Sequence, residues 1–320
     1  MKTRYCTLLA ALAMLIPVAA GAQDYPVRPV KLVVGFPPGG NVDLVARIVA
    51  QKLSEDVGRQ FFAENRPGAS GIPATDYVVK SAADGYTLLV VSGAFVTTAV
   101  TQKKLSYDSL RDLAWVSTVV TYPLVFAVRP DSRFKTLDDF IGYAKANPGK
   151  INYPSPGVGT LYHLAAEMFN SMAGIDLVHV PFRGGNEPII EVLSGRMEML
   201  IDAVTNAYAH IQGGRLRALA VTSAEPSPSL PGVPTVAQSL PGYEASIYVG
   251  IAAPRDTPPA IVERLNRALR RALDAPDIRQ RFTDFGGMVR SGTPAEMGQL
   301  IEAEIAKWKR VVEARHIELQ

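Results

Sequence analysis

The stretch Phe36-Pro37-Pro38-Gly39-Gly40-Asn41-Val42-Asp43 decides the reading of this chain. Before it, Val30-Lys31-Leu32-Val33-Val34-Gly35 reads as a buried strand. After it, Val42, Val45, Ile48, Val49 and Leu53 recur at helical spacing. A glycine-rich turn from a strand into a helix aims backbone N–H groups at one point, and the helix dipole adds positive potential there. The same grammar recurs at residues 153–160 (YPSPGVGT) and 181–186 (PFRGGN). Three such turns and no visible catalytic set point to a chain built to hold a small anion.

Outward from these turns, strand and helix alternate. Strands are expected at 61–63, 87–92, 115–120 and 124–128, the last two separated by Tyr122-Pro123. Helices are expected at 72–81 and 137–146, the second stopped by Asn147-Pro148-Gly149. In the middle, strand 151–153 leads through the second turn into helix 161–172, and strand 177–180 through the third into helix 189–193. Further strands fall at 199–201, 216–221 and 248–253, and the proline-rich stretch 225–243 reads as a loop or linker. The C-terminal third is helical: Ile261, Leu265, Leu269 and Leu273 step by four, and Ile301, Ile305, Trp308 and Val312 nearly so, as core-facing stripes do. Such alternation predicts α/β layers with parallel sheets, whose ligands sit beyond the carboxyl ends of the strands. Two such domains would face each other across a hinged cleft.

The ends and the composition set the compartment. Lys2 and Arg4 precede an apolar run over 8–20, and Ala20-Gly21-Ala22 supplies a small-residue cleavage site before Gln23. The expectation is a signal peptide over 1–22 and a periplasmic mature protein. A membrane anchor is the alternative, but the apolar run falls short of the roughly 20 residues that a span needs. Cys6 is the only cysteine and lies in that leader, which excludes disulfides, zinc–thiolate sites and a cysteine nucleophile from the mature chain. Thirty-three Lys and Arg against 30 Asp and Glu, spread without a dense run, give no reason to expect nucleic acid.

An ordered set of motifs then carries a family resemblance: residues 36–47 (FPPGGNVDLVAR), 64–71 (ENRPGASG), 83–89 (ADGYTLL), 157–163 (GVGTLYH), 179–185 (HVPFRGG), 217–223 (RALAVTS), 230–235 (LPGVPT) and 240–243 (LPGY). In order and spacing the chain resembles the extracytoplasmic receptors of tripartite tricarboxylate transporters, the TctC or Bug family. The resemblance implies a two-domain Venus-flytrap periplasmic binding protein fold with a ligand cleft between the domains. Domain 1 would comprise 23–122 and 248–320, and domain 2 would comprise 123–247. It further implies a monomeric receptor, without cofactor, for a small organic carboxylate: a di- or tricarboxylate, an amino acid or an aromatic acid. The implied partners are membrane permease subunits of a tripartite tricarboxylate transporter. Carried over residue by residue, the ligand site would include Phe36, Gly39, Gly40, Ser92 and Ala94 from domain 1. From domain 2 it would include Ser155, Gly157, Val158, Gly159 and Thr160, with Gly184 and Asp202 nearby. Some positions depart from the family pattern. Asn41 adds a side chain near the anion, Pro156 replaces a flexible residue, residues 93–101 lack an asparagine–proline segment, and Tyr248 stands where tryptophan is common.

Several residues have two readings. Asp43 reads as a structural acid pinning its turn. Thr160 is a helix N-cap or a ligand donor. His163 is a charged donor at mildly acid pH or a packed, hydrogen-bonded ring. Arg183 is a bidentate partner for a second carboxylate or a solvated or salt-bridged side chain. Asp202 accepts a ligand ammonium or hydroxyl, or orients backbone amides. An enzyme is the competing class, but no Gly-x-Ser-x-Gly turn, P-loop lysine or paired acids stand out, and the scattered histidines do not suggest a metal. A periplasmic sensor feeding a signalling pathway would use the same cleft.

Overall fold

The structure, a computed structural model, describes residues 25–182 and 186–320. The expected leader and the Arg183-Gly184-Gly185 turn therefore lie outside the described residues.

The chain opens with β1 (Val30–Val34), α1 (Asn41–Val57), β2 (Phe61–Asn65), α2 (Ile72–Val79), β3 (Thr87–Ser92) and α3 (Gly93–Thr101). β1 lies between β2 and β3, both parallel to it. The helix α1 ends where Gly58 takes up the left-handed conformation that such a stop favours.

β4 (Leu113–Val128) departs from the expected pair of strands, because it runs unbroken through Tyr122-Pro123. Proline has no N–H and breaks the interior of a sheet, but here it stands where the strand changes partners. Up to Pro123, β4 pairs with β9 (Ser246–Pro254). From Leu124 onward it pairs with β7 (Leu200–Ala203) and β8 (Arg217–Val221). Thr222 secures the crossing: its hydroxyl accepts from the Leu124 N–H at 2.7 Å and donates to the Ala245 carbonyl at 2.5 Å.

Along the middle of the chain run α4 (Leu137–Ala146), β5 (Asn152–Ser155), α5 (Leu161–Ala173), β6 (Val178–Pro181), α6 (Glu187–Leu193) and α7 (Val204–Gln212). β5 and β6 form a parallel pair. The proline-rich stretch is mostly loop, with one short helix, α8 (Val236–Ser239). After β9 come α9 (Pro259–Asp274), α10 (Pro276–Asp284), β10 (Met288–Val289) and α11 (Pro294–Ala314). The main sheet has the order β10-β4-β9-β3-β1-β2. It is mixed rather than all-parallel, because β9 inserts antiparallel between β3 and β4.

The stripes read from the sequence do face the core. Leu265, Leu269 and Leu273 of α9 pack with Ile48 and Leu53 of α1 on one side of the sheet. Ile301, Trp308 and Val312 of α11 are buried on the other, with residues of α3, α4 and α5. A smaller core lies under α6 and α7. Each fully buried leucine contributes about 1.5–3 kcal/mol, so α9 and α11 fix the sheet on which the turns stand.

Beyond α11, Arg315 reaches across to α5. Its guanidinium meets the buried Glu167 carboxylate at 2.7 Å, and the other carboxylate oxygen accepts from Tyr153 at 2.9 Å and Asn170 at 3.2 Å. Arg315→Met leaves that carboxylate without its cation. Breaking a buried pair costs about 3–5 kcal/mol, and partial access of Arg315 to water reduces this to about 2 kcal/mol. Urea denaturation should show that loss, and Glu167→Gln added to Arg315→Met should recover most of it.

Candidate functional site

Four strand-to-helix junctions border one zone: β1 to α1, β3 to α3, β5 to α5 and β7 to α7. Three contacts draw them together. The Asn41 amide donates to the Thr205 hydroxyl at 2.7 Å, from the start of α1 to the start of α7. A methyl placed on Gly93 would lie 3.5 Å from Leu161, so α3 and α5 begin side by side. One placed on Gly159 would lie 3.1 Å from Thr101 at the end of α3.

The first turn is held from within. Gly39 has φ +85, a conformation open to glycine, and its N–H donates to the Asp43 carboxylate at 2.9 Å. Asp43 also accepts from Arg47 at 2.9 Å and from Asn65 at 2.7 Å, and the Asn65 amide reaches the Phe36 carbonyl at 3.0 Å. Burial pushes the Asp43 carboxyl up, but the bonds from Arg47, Gly39 and Asn65 outweigh it and hold the group below its ordinary value. Asp43 thus pins the turn. The first bond into α1 runs from the Leu44 N–H to the Gly40 carbonyl. The N–H groups of Asn41, Val42 and Asp43 therefore have no partner among the described residues, and they point out of the helix end. Phe36 and Gly40 flank this opening; Ser92, 5 % exposed, and Ala94 stand at the neighbouring β3–α3 junction.

The second turn differs from expectation in which amides it leaves open. Gly157 donates to the Ser155 hydroxyl at 3.1 Å, and Gly159 to Nδ1 of His163 at 3.2 Å. These two glycines shape the loop, while the N–H groups of Val158 and Leu161 stay open among the described residues. The Thr160 hydroxyl does not cap α5, as the N-cap reading expects; it donates to the Gly157 carbonyl at 2.8 Å. Ser155 is fully buried, 2.5 Å from Nε2 of His179. This pair braces the turn from within.

His163 is packed rather than available as a cation. Its ring stacks on His179 at 4.0 Å. Burial, helped by Arg315, lowers the His163 pKa to about 4; burial, helped by His163, lowers that of His179 to about 4. Both rings stay neutral in the fold, whereas in the unfolded chain they titrate near 6.5. The stability they provide is therefore complete above pH 6.5 and falls as the pH drops toward 4. Allowing for incomplete burial, each histidine should lose about 1 kcal/mol between pH 7 and pH 5. Urea midpoints measured across that range check this, and His179→Asn should flatten the profile.

Asp202 ends β7 and is 8 % exposed. One carboxylate oxygen accepts from the Ala203 N–H at 2.7 Å and the Asn206 amide at 3.1 Å. Burial, only partly offset by these bonds, raises its pKa to about 6. Its other oxygen has no hydrogen-bond partner among the described residues. Tyr162, on the first turn of α5, feels this carboxylate, and its hydroxyl is pushed upward mainly by burial.

The sequence reading missed Thr205, Asn65, Asn206 and His179 as parts of this zone. His179 stood inside a quoted motif, but nothing in the one-dimensional pattern paired it with Ser155. Arg183 and Gly184 lie outside the described residues. Those residues hold no group of three or more His, Cys, Asp or Glu able to bind a metal ion, and no helix long and apolar enough to cross a membrane.

Helix N-termini presenting unpartnered amides beside crossing strands suit a small anion. Residues 45–317 match the profile described as tripartite tricarboxylate transporter family receptor, TctC, and the chain belongs to that family. Protein BugT of Bordetella pertussis (strain Tohama I) is 34 % identical over 313 residues, covering 95 % of this chain and 96 % of BugT. Among solved structures, R. palustris Rpa4515 with adipate aligns with a TM-score of 0.81 at 33 % identity, covering 92 % of this chain and 99 % of that one. MatC from Rhodopseudomonas palustris with bound malate aligns with a TM-score of 0.75 at 32 % identity, covering 90 % and 100 %. The α/β binding-protein fold expected from the sequence is thus the observed one.

Proposed function

We propose that this chain is a periplasmic receptor, exported by a cleaved leader over 1–22, that captures a small organic carboxylate and presents it to a tripartite tricarboxylate-type permease. In this reading the lobes are 23–122 with 248–320, and 123–247, turning about the Pro123 and Ser246 crossing. The observation that carries the proposal is the set of open amides on two turns: Asn41, Val42 and Asp43 at the start of α1, which the Asn41–Thr205 bond ties to α7, and Val158 and Leu161 at the entry to α5, which begins beside α3. Fixed N–H dipoles at helix ends favour an anion without a paired cation. No catalytic step is assigned to them.

The unpartnered oxygen of Asp202 narrows the ligand. A second carboxylate beside it would be repelled once Asp202 ionises, whereas a hydroxyl or ammonium would donate to it. The reading therefore favours a hydroxy acid or an amino acid over a plain tricarboxylate. The malate bound to MatC belongs to the first of these classes.

A thermal-shift screen tests this. Malate, adipate, citrate and amino acids are compared with the corresponding amides. A ligand at 100 times its Kd stabilises the native state by about 2.7 kcal/mol. The expected result is a saturable rise for one carboxylate class that amidation abolishes. No rise across the panel, with no acid co-purifying in the native protein, would contradict the proposal.

A further inference from the structure

One well-defined opening in the described molecule lies away from these turns. A cavity of about 430 Å³ lies between the β4–β9 pair, the loop after β8, β10 and the first half of α11. It shares no residue with the candidate carboxylate site. Its volume falls in the range of small-molecule sites, about 300–1,000 Å³.

The lining is acidic: Glu225, Glu244, Glu296 and Glu304 against the single guanidinium of Arg290. These carboxylates are differently occupied. Glu304 is tied to Lys307 and to the Trp308 indole, and Glu296 caps the start of α11 through Thr293. Glu225 meets Arg290 only at 3.5 Å, and the Glu244 carboxylate has no partner among the described residues. Tyr248, 3 % exposed, lines the cavity, and its buried hydroxyl has no hydrogen-bond partner among the described residues. A buried hydroxyl without a partner is costly, so it marks a place where a polar group is missing. Leu300 and Met288 supply apolar wall between the polar groups.

We propose that this cavity is a second ligand site, for an aliphatic organic cation of the diamine class. The acids stand too far apart to cluster on a metal ion, so the matching ligand carries separated positive centres. One ammonium would pair with Glu244, the other with Glu225, and the methylene chain would lie on Leu300 and Met288. This proposal does not rest on the carboxylate reading, because neither turn contributes to the cavity.

The test is calorimetric titration of the mature protein with putrescine at low ionic strength. The neutral isostere 1,4-butanediol serves as a control. Saturable binding of putrescine, no binding of the diol and an affinity about tenfold lower in Glu225→Gln/Glu244→Gln support the site. Both glutamates are exposed, so the variant should fold, and an unchanged melting temperature checks that it does. Equal binding of the diol, no saturable binding of putrescine, or unchanged affinity in the folded variant would overturn it.

Discussion

Gly40→Val is expected to remove carboxylate binding, by about 100-fold or more, while changing stability by less than about 1 kcal/mol. Gly40 caps α1 with φ −78 and ψ 167, an extended conformation that valine adopts readily. A methyl group there would meet only the Pro37 carbonyl, at 3.8 Å, an ordinary contact. The side chain would therefore fit the protein but occupy the space in front of the open amides of Asn41 and Val42. Gly159→Val makes the contrasting control. At φ +73 a branched residue is strained by about 1–2 kcal/mol, and its methyl would press on Thr101 at 3.1 Å. That variant should lose both stability and binding. Titration of each variant by calorimetry, beside its melting curve, separates a blocked cleft from a damaged fold. A folded Gly40→Val with wild-type affinity would move the ligand away from the first turn.

Asp202→Asn carries the second large effect, and it has two signs. The folded carboxyl has a pKa of about 6, against about 4 in the unfolded chain. A buried acid of this kind resists ionisation, so folding is penalised above pH 6, progressively less as the pH falls, and not at all below about 4. The amide removes that penalty and can still accept from Ala203 and Asn206. The variant should therefore be more stable than wild type by about 2–3 kcal/mol at pH 8, with the difference gone at pH 4. In the same protein, affinity for a hydroxy or amino acid should fall, because the amide is a weaker acceptor and can present its NH2 instead. Denaturation at the two pH values, with one titration at each, checks both halves. A stability difference independent of pH would show that Asp202 is not a strained carboxylate.

Much of this architecture was legible in one dimension. Glycine and proline punctuate the turns after β1 and β5, and the four-residue steps of Leu265, Leu269 and Leu273 mark α9 as a core helix. β4 was read as two strands because Pro123 normally ends a strand; only the change of partner there, from β9 to β7 and β8, lets it pass. The sequence marks the turns as candidate anion sites, but not which amides they leave open. That depends on Asp43, Ser155 and His163 taking up the N–H groups of Gly39, Gly157 and Gly159, through side-chain geometry that residue spacing does not encode. The Asn41–Thr205 bond joins residues 164 apart and has no local signal. The acidic cavity is assembled from four separate stretches of chain, none of which is conspicuous alone.

The central claim is that one carboxylate is held between the two glycine turns. An amide-resolved NMR titration tests it most directly, using whichever of malate, adipate, citrate and the amino acids gives the largest thermal shift. The account predicts saturable, site-confined shifts at Asn41, Val42, Val158 and Leu161, all following one binding curve. Saturable shifts confined to other amides, with those four unmoved, would contradict it.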